Sequence, residues 1–574
     1  MKILLVHPED SAEAGPWAET TWDLIVDLGW SGSYSYTQQK QRFGCSIVSI
    51  YELLDHGAHR DQLRELLAVG LNQLVDSEAT DWWEVFSATL DHSLGQLLML
   101  SALAERIPEQ AEVFVTRPHG ATQTLGILLQ REIKALSADP PAGLWTRSRR
   151  FAGKLTALHP SQIVEIAFDK WDADYQIRRH VNRRPSKSDG PVVLLPSAYQ
   201  NVSRIQLEYA KMLPNRRFLL VVTRPSGGRV KLPPNIELRS LAAYAPPVSP
   251  ATEIERKDLL AKWEELKARR FAPNRLLAVG VQQQMFDFFE TILKNGLRVR
   301  DAWRAVLENE PIAAVFSADE NNEVTRLPII LAKARNLRTV SCNHGALNLA
   351  LAIRRQCSEL YFASGDMARD YMVEWCGLSA NRVVTGAPEN QYSLSIEKKE
   401  SERDWIVFFS SPYEISAART QVFYTEILPE LCALALEAKR KVVVKLHPFE
   451  SLPIRQAMIE RVVTDGSREV IELRQGPMSS ELLERAWFTI TVHSSVAVES
   501  TMNGVPCFLC AWFDGDWSDY GNQLAKYCAG YPLNSPLEIR DIPTRLSQIK
   551  ISEATRRALH SPISPASLDS VLFG

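Results

Sequence analysis

Three short stretches of the chain set hydrogen-bonding side chains directly after apolar runs. Ser410, Ser411, Pro412 and Tyr413 follow "WIVFF", His447 and Pro448 follow "KVVVKL", and His493, Ser494 and Ser495 follow "FTITV". Short, β-branched apolar runs read as buried strands, and open α/β sheets bind ligands at the ends of their strands. A histidine held by a following proline can donate to a phosphate oxygen, or protonate a departing phosphate when its pKa suits. The dipeptide alone is a weak pattern, since His-Pro recurs at Pro8 and Pro160. Lys445, two residues before His447 on the strand, points to the same side. Ser494 and Ser495 open "SVAVESTMNG", whose spacing is helical and which stops at Gly504. A helix start offers N–H groups and partial positive charge to an anion; a serine that merely caps the helix, worth about 1 kcal/mol, fits the same position. Glu499 lies one turn beyond Ser495 on the same face, where a carboxylate can accept from ribose hydroxyls; taken singly it reads better as a solvated helical glutamate. Together these residues describe a site for a nucleotide mono- or diphosphate.

Such a site needs strands that end side by side. Apolar runs recur along the chain with helical segments between them: "KILLVH", "DLIVDLG", "AEVFVTR", "PVVLLPS", "RFLLVVTR", "IAAVFSA", "RTVSCNH", "ELYFASG", "RVVTGAP", "WIVFFSS", "KVVVKLH" and "FTITVHSS". The alternation predicts an α/β architecture with largely parallel sheets. At 574 residues the chain exceeds one core, and two doubly wound sheets are expected. The polar run 391–403, "QYSLSIEKKESER", reads as a linker between an amino-terminal domain over 1–390 and a carboxyl-terminal domain over 404–574. An irregular zone over about 137–190 reads as an insertion or joint. "DWWEVFSATLDHSLGQLLMLSALAERI", Asp81 to Ile107, is helical and strongly apolar; a buried core helix is the first reading and a membrane or oligomer face the second.

Composition bounds the partners. With 45% apolar and 23% charged residues and a net charge of -3, nothing supports nucleic-acid binding. "MKILLVHPED" carries too short an apolar core for a signal peptide and reads as a first strand. No apolar run approaches the roughly 20 residues of a spanning helix, so the expected location is cytoplasmic, with peripheral contact at the inner face of a membrane left open. The eight cysteines are scattered, as small buried residues would be. Cys507 and Cys510, three apart on a strand, point to opposite faces and are not expected to share a metal or a disulfide. "DGD", Asp514 to Asp516, looks like a metal-binding pattern but reads better as a polar turn. No GxGxxG or GxxxxGK[ST] occurs in a strand–helix context, which argues against dinucleotide oxidoreductases and P-loop kinases.

The order "VVVKLHPFES", then "RQGPMSSELLERAWFTITVHSSVAVESTMNGVP", resembles the carboxyl-terminal half of GT-B glycosyltransferases. The resemblance is to the capsule-type group with His-Pro and Ser-Ser motifs: bacterial polysialyltransferases, Kdo transferases of capsule synthesis and CDP-glycerol glycerophosphotransferases. "ELYFASGDMARDYMVEWCGLSANRVVTGAPE" resembles the passage between that family's domains. The likeness covers roughly Ile312 to Leu509. It implies a GT-B fold, two Rossmann-like doubly wound domains facing across a cleft, here with an extra amino-terminal α/β region. It implies that His447 of the His-Pro pair with Pro448, and Ser494 and Ser495, hold the donor's phosphates and that Glu499 contacts the ribose; the strand-end reading adds Ser410, Ser411, Lys445 and His493 to the same donor-nucleotide pocket. The family's acidic pair is matched by Asp319 and Glu320 in "SADENNE", followed by Asn321 and not by glycine; one acid would serve as base on the acceptor. Its His-Gly element is matched by Asn343, His344 and Gly345.

The resemblance therefore implies a metal-independent glycosyltransferase acting in surface polysaccharide assembly of the cell envelope. Its donor would be CMP- or CDP-linked first and UDP-linked second, a substrate and not a cofactor, and its acceptor a hydroxyl of a glycan or glycolipid. Two alternatives stand beside it: a UDP-N-acetylglucosamine 2-epimerase-like enzyme, which turns over without an acceptor, and a non-catalytic binding protein on the same fold. "FDKWDADYQIRRHVNRR", Phe168 to Arg184, and "PSAYQNVSR", Pro196 to Arg204, are lesser candidates for acceptor contact, each also readable as an ordinary helix or helix start.

Overall fold

The computed structural model describes residues 1–7, 10, 15, 17–28, 43–53, 55–137, 190–247, 249–343, 345, 347, 349–389, 403–411, 417–447, 450–463, 465–476, 478–513 and 519–574. Among them the chain forms three sheets, every one parallel. The first contains β1 (Lys2–Val6), β2 (Leu24–Asp27), β3 (Ser46–Ser49), β4 (Glu112–Val115) and β5 (Lys134–Ala135) in the order β3-β2-β1-β4-β5. The second contains β6 (Val192–Ser197), β7 (Arg217–Val222), β8 (Ile236–Ser240), β9 (Ile312–Ser317), β10 (Arg338–Cys342), β11 (Leu360–Ala363) and β12 (Val383–Thr385), ordered β8-β7-β6-β9-β10-β11-β12. The third contains β13 (Trp405–Phe409), β14 (Lys441–Lys445), β15 (Ile471–Arg474), β16 (Ala486–Thr491), β17 (Cys507–Cys510) and β18 (Tyr531–Leu533), ordered β15-β14-β13-β16-β17-β18.

Each sheet starts in its middle, grows to one side through three strands, and then returns to the other. This is the Rossmann order, and the reversal leaves a crevice at the strand ends next to the first strand. The two doubly wound sheets expected from the sequence are present, and the extra amino-terminal α/β region is itself a third sheet of the same winding.

The third sheet shows how the sequence sets its layers. "WIVFF" is buried throughout, as a strand covered on both faces must be. Successive side chains alternate: Ile406, Phe408, Val442, Val444, Phe488 and Ile490 join Phe423, Tyr424, Ile427 and Leu428 of the helix Ala417–Glu437, while Trp405, Val407, Phe409 and Val443 meet Leu482, Leu483 and Val505 on the other face.

By compactness the chain divides into two units. One comprises Met1–His59, Gln96–His159 and Tyr392–Arg556; the other comprises Arg60–Gly95, Pro160–Gln391 and Arg557–Gly574. The division differs from a simple cut near residue 400: two amino-terminal stretches group with Tyr392–Arg556, and the last residues pack on the second sheet. Leu568 and Leu572 of the helix Pro565–Phe573 are fully buried beside Phe316 and Val340. Gly365 permits this return, since a Cβ there would lie 2.5 Å from the carbonyl oxygen of Ala558. Residues 390–402, nearly all of the expected linker, and 138–189, nearly all of the expected joint together with the Phe168–Arg184 candidate, lie outside the described residues.

The apolar segment from Asp81 is the helix Trp82–Arg106, and it is a core helix. Trp82, Trp83, Phe86, Leu90 and Leu94 are inaccessible, and Trp83 and Phe86 sit among Trp263, Phe271 and Phe289 in a network of stacked, edge and tilted ring contacts. Among the described residues no helix is long and apolar enough to cross a membrane.

Candidate functional site

The strand order of the third sheet brings three expected strand ends together, since β13 lies between β14 and β16. Ser410 and Ser411, His447, and His493 to Ser495 therefore share one end of one sheet, at its point of reversal. They are not equivalent there. The Ser410 hydroxyl is buried, donates to Glu450 Oε1 at 2.8 Å and shares a 2.8 Å bond with the Tyr424 hydroxyl. Lys445 is also tied inward, its Nζ donating to the carbonyls of Leu446 at 2.8 Å and Gly476 at 2.7 Å. Both were expected to line the donor-nucleotide pocket; in this arrangement their polar atoms brace the strand ends.

His447 stands at the tip of that bracing. Its N–H donates to Glu450 Oε2 at 2.7 Å, and Glu450 N–H returns a bond to the His447 carbonyl at 2.9 Å. Burial, and then the nearby Lys445 charge, push the His447 imidazole below the ordinary histidine range. The ring is therefore neutral at pH 7, with one donor and one acceptor nitrogen. Lys445 is lowered by burial against the pull of Glu450. Pro448 lies outside the described residues.

Glu450 is a member of this network that strand-end position does not reveal. Its carboxylate is buried and accepts from Ser410, from the His447 N–H and from Arg455 Nε at 2.7 Å. Burial raises its pKa, opposed by Arg455 and the hydrogen bonds. The available signal was the acid three residues after His447 in "HPFE", which is one turn's reach from the histidine's own amide.

At β16 the expected helix is short, Val496–Met502. Val496 N–H donates to Ser494 Oγ at 3.4 Å, Ala497 N–H to the Ser494 carbonyl at 3.1 Å and Val498 N–H to the Ser495 carbonyl at 3.0 Å. These amides are thus engaged locally, and what a ligand can meet are the part-exposed side chains of His493, Ser494 and Ser495. Glu499 shares their part-exposed face while Ala497, Val498, Ser500 and Thr501 are buried. Gly504 ends the helix at φ +72°. Its N–H bonds the Thr501 carbonyl at 3.0 Å and Val505 N–H bonds the Ser500 carbonyl at 2.9 Å, the Schellman pattern that glycine favours.

In the second sheet Asp319 and Glu320 follow β9, and Asn343 follows its neighbour β10. Glu320 is fully committed: Oε1 accepts from Ser341 Oγ at 2.5 Å and Ser358 N–H at 3.2 Å, and Oε2 from the Tyr361 hydroxyl at 2.7 Å and Cys357 N–H at 3.2 Å. Asp319 accepts the Asn321 N–H at 2.9 Å through Oδ1. His344 lies outside the described residues, as does Asp514 to Asp516. Among the described residues no three of His, Cys, Asp and Glu are grouped to hold a metal ion. Cys507 and Cys510 are buried free thiols.

No family model and no curated protein matches the chain. Solved structures do. A UDP complex of S. aureus MnaA is 11% identical, with 66% of this chain and 92% of that one covered at a TM-score of 0.39. Acinetobacter baumannii MurG is 14% identical, with 67% and 99% covered at 0.38. The wall teichoic acid polymerase TagF is 12% identical, with 74% and 97% covered at 0.37. At such identities and scores these likenesses assign no function to the chain.

Proposed function

We propose that the chain is a nucleotide-sugar glycosyltransferase of GT-B type, with the third sheet as its donor domain. The observation that carries the reading is the convergence of His447, His493, Ser494 and Ser495 at the reversal point of that sheet, where Rossmann-order folds hold phosphates. His447 and the two serines hold the nucleotide's phosphates, and Glu499 takes the ribose hydroxyls. A CMP- or CDP-linked donor is the first choice and a UDP-linked donor the second. Asp319 is the better base of the acidic pair, because four donors already occupy Glu320. In the reaction the base removes the acceptor hydroxyl's proton and the oxygen forms a bond to the anomeric carbon. The bond from that carbon to the phosphate oxygen breaks, and the nucleotide leaves with the electron pair. A surface glycan or glycolipid is the proposed acceptor.

The test is turnover of CMP-, CDP- and UDP-linked sugars with a panel of oligosaccharide and glycolipid acceptors, read by mass spectrometry. Nucleotide release coupled to a new glycosidic bond, lost in Asp319→Asn, supports the reading. Isomerisation of a UDP-sugar without acceptor would replace it with the epimerase, and tight nucleotide binding with no turnover would replace it with a binding protein.

A further inference from the structure

The loop that carries Asp319 is held carbonyl by carbonyl. It joins β9 to the helix Glu323–Ala334. The Asp319 carbonyl accepts from Ser317 Oγ at 3.0 Å, the Glu320 carbonyl from Arg326 Nη1 at 3.2 Å and the Asn321 carbonyl from Arg354 Nη1 at 3.0 Å. Its N–H groups are used as well. Asp319 N–H donates to Ser317 Oγ at 3.1 Å, Asn321 N–H to Asp319 Oδ1 at 2.9 Å, and Val324 N–H to the capping Asn322 Oδ1 at 2.9 Å. Among the described residues no hydrogen-bond donor reaches Asp319 Oδ2, so one oxygen of this carboxylate is fixed and the other is available.

The two arginines that hold the loop are buried, with 2% and 7% of their side chains accessible. A guanidinium taken out of water needs a counter-charge, and the helix Trp82–Arg106 supplies two. Glu84 Oε1 accepts from Arg326 Nη2 at 3.0 Å, and Asp91 Oδ2 accepts from Arg354 Nη2 at 2.5 Å. Seven residues apart, Glu84 and Asp91 lie two turns from each other on one face of the helix. Trp83 and Phe86 lock the same helix into the aromatic core. Each arginine thus spans from a helix carboxylate to a loop carbonyl through its planar, rigid fork, and this sets the distance between helix and loop. Arg354 also lies within electrostatic reach of Asp319 itself. All of these groups belong to one compact unit.

We propose that Asp91 and Arg354 are positioning residues for Asp319, a role that rests on reading Asp319 as the base. Asp91 holds the guanidinium, the guanidinium holds the Asn321 carbonyl, and the N–H of that same residue holds Asp319 Oδ1. Misplacing a reacting group by about 1 Å costs about 100-fold in rate. The relay therefore acts on kcat, while donor binding is assigned to the third sheet.

The test compares the wild-type full chain with Asp91→Ala, Arg354→Met, the pair of both, and Asp319→Asn with and without Asp91→Ala. Asp91 is chosen over Glu84 because 21% of its side chain is accessible, so water can take the place of the carboxylate. Transfer from the CMP-, CDP- or UDP-linked sugar that the wild type uses should lose about 10–100-fold in kcat in Asp91→Ala, Arg354→Met and their pair, with KM for the donor changed by less than about twofold. The pair removes the stranded charge, so its urea midpoint returns toward wild type while kcat stays low. In Asp319→Asn, adding Asp91→Ala should lower the residual rate no further. An unchanged kcat in Asp91→Ala, a kcat that recovers together with the midpoint, or an equal loss with and without Asp319 overturns the proposal. Hydrogen exchange read by mass spectrometry needs no substrate. Peptides over 318–325 should exchange about tenfold faster in Asp91→Ala and Arg354→Met, with those of β13 and β14 unchanged. If the wild type transfers no sugar, faster exchange of this loop upholds the anchoring and removes the reading of Asp319 as base instead. Unchanged exchange overturns the proposal in either case.

Discussion

Replacing Glu450 by glutamine tests whether its carboxylate organises the His447 turn. The carboxylate serves donors on both oxygens, Ser410 and Arg455 at Oε1 and the His447 amide at Oε2. Glutamine is the same size but presents one acceptor oxygen and one NH2 group. If its oxygen keeps Ser410 and Arg455, the NH2 meets the His447 N–H head-on; if it keeps His447, the NH2 meets Arg455, whose guanidinium is buried with 3% of its side chain accessible. Burial raises the Glu450 pKa against Arg455's pull, so the pair adds little net stability over a neutral replacement of both. Removing one partner alone strands the other, at about 3–5 kcal/mol. We therefore expect Glu450→Gln to lose about 3–5 kcal/mol in urea unfolding followed by tryptophan fluorescence. The pair Glu450→Gln, Arg455→Met should recover most of that loss, because the second change removes the stranded charge. A single variant within about 0.5 kcal/mol of wild type, the ordinary range of a neutral surface change, would refute the reasoning. So would a double variant as unstable as the sum of the singles.

Other expectations rest on the same geometry. Nucleotide affinity should rise as pH falls from 8 to 6, because burial and Lys445 lower the His447 pKa and a bound phosphate favours the imidazolium; calorimetry in buffers of different ionisation heat should show proton uptake that His447→Asn abolishes. The same depressed pKa means that the folded chain binds fewer protons than the unfolded one, so this histidine's contribution to stability is lost as pH falls below about 6.5. Asp319→Asn should lower kcat by about 10²–10⁴-fold, the usual worth of a general base, with an unchanged unfolding midpoint. Glu320→Gln should instead cost about 1–3 kcal/mol of stability for each donor left facing an amide. Gly504→Ala should destabilise by about 1–2 kcal/mol, because φ is +72° there and a side chain is penalised in the left-handed region; thermal unfolding reads it.

The fold was legible where strands are central. "WIVFF", "KVVVKL" and "PVVLLPS" are buried on both faces and stand out as unbroken apolar runs. The strands that escaped notice, β3, β5, β8, β15 and β18, are all at sheet edges. "IELRS" and "IELR" in β8 and β15 carry charges because an edge strand leaves one side open. The amino-terminal region was not legible as a whole sheet for the same reason: its edge strands are short and β5 has only two residues. In the site, strand-end position singled out His447, His493 and the two serines as candidates, since residues just beyond a buried strand lie at the end where doubly wound sheets bind ligands. It could not separate side chains left part-exposed from those tied inward. Ser410, Lys445 and Glu320 occupy strand-end positions too, but Glu450, Gly476 and Tyr361 claim them through the folded chain. Glu450 itself was hidden because it follows the strand-end histidine by three residues and is joined there by Ser410 from the neighbouring strand's end.

The most direct test of the central claim is nucleotide binding by calorimetry, with CMP, CDP, UDP and GDP on the wild type and on His447→Ala. The account predicts binding of one base, cytidine first, weakened about 10–150-fold in the variant, the worth of one hydrogen bond to a charged group at about 1.5–3 kcal/mol. Equal affinity in the wild type and the variant, or no binding of any of the four, would contradict it.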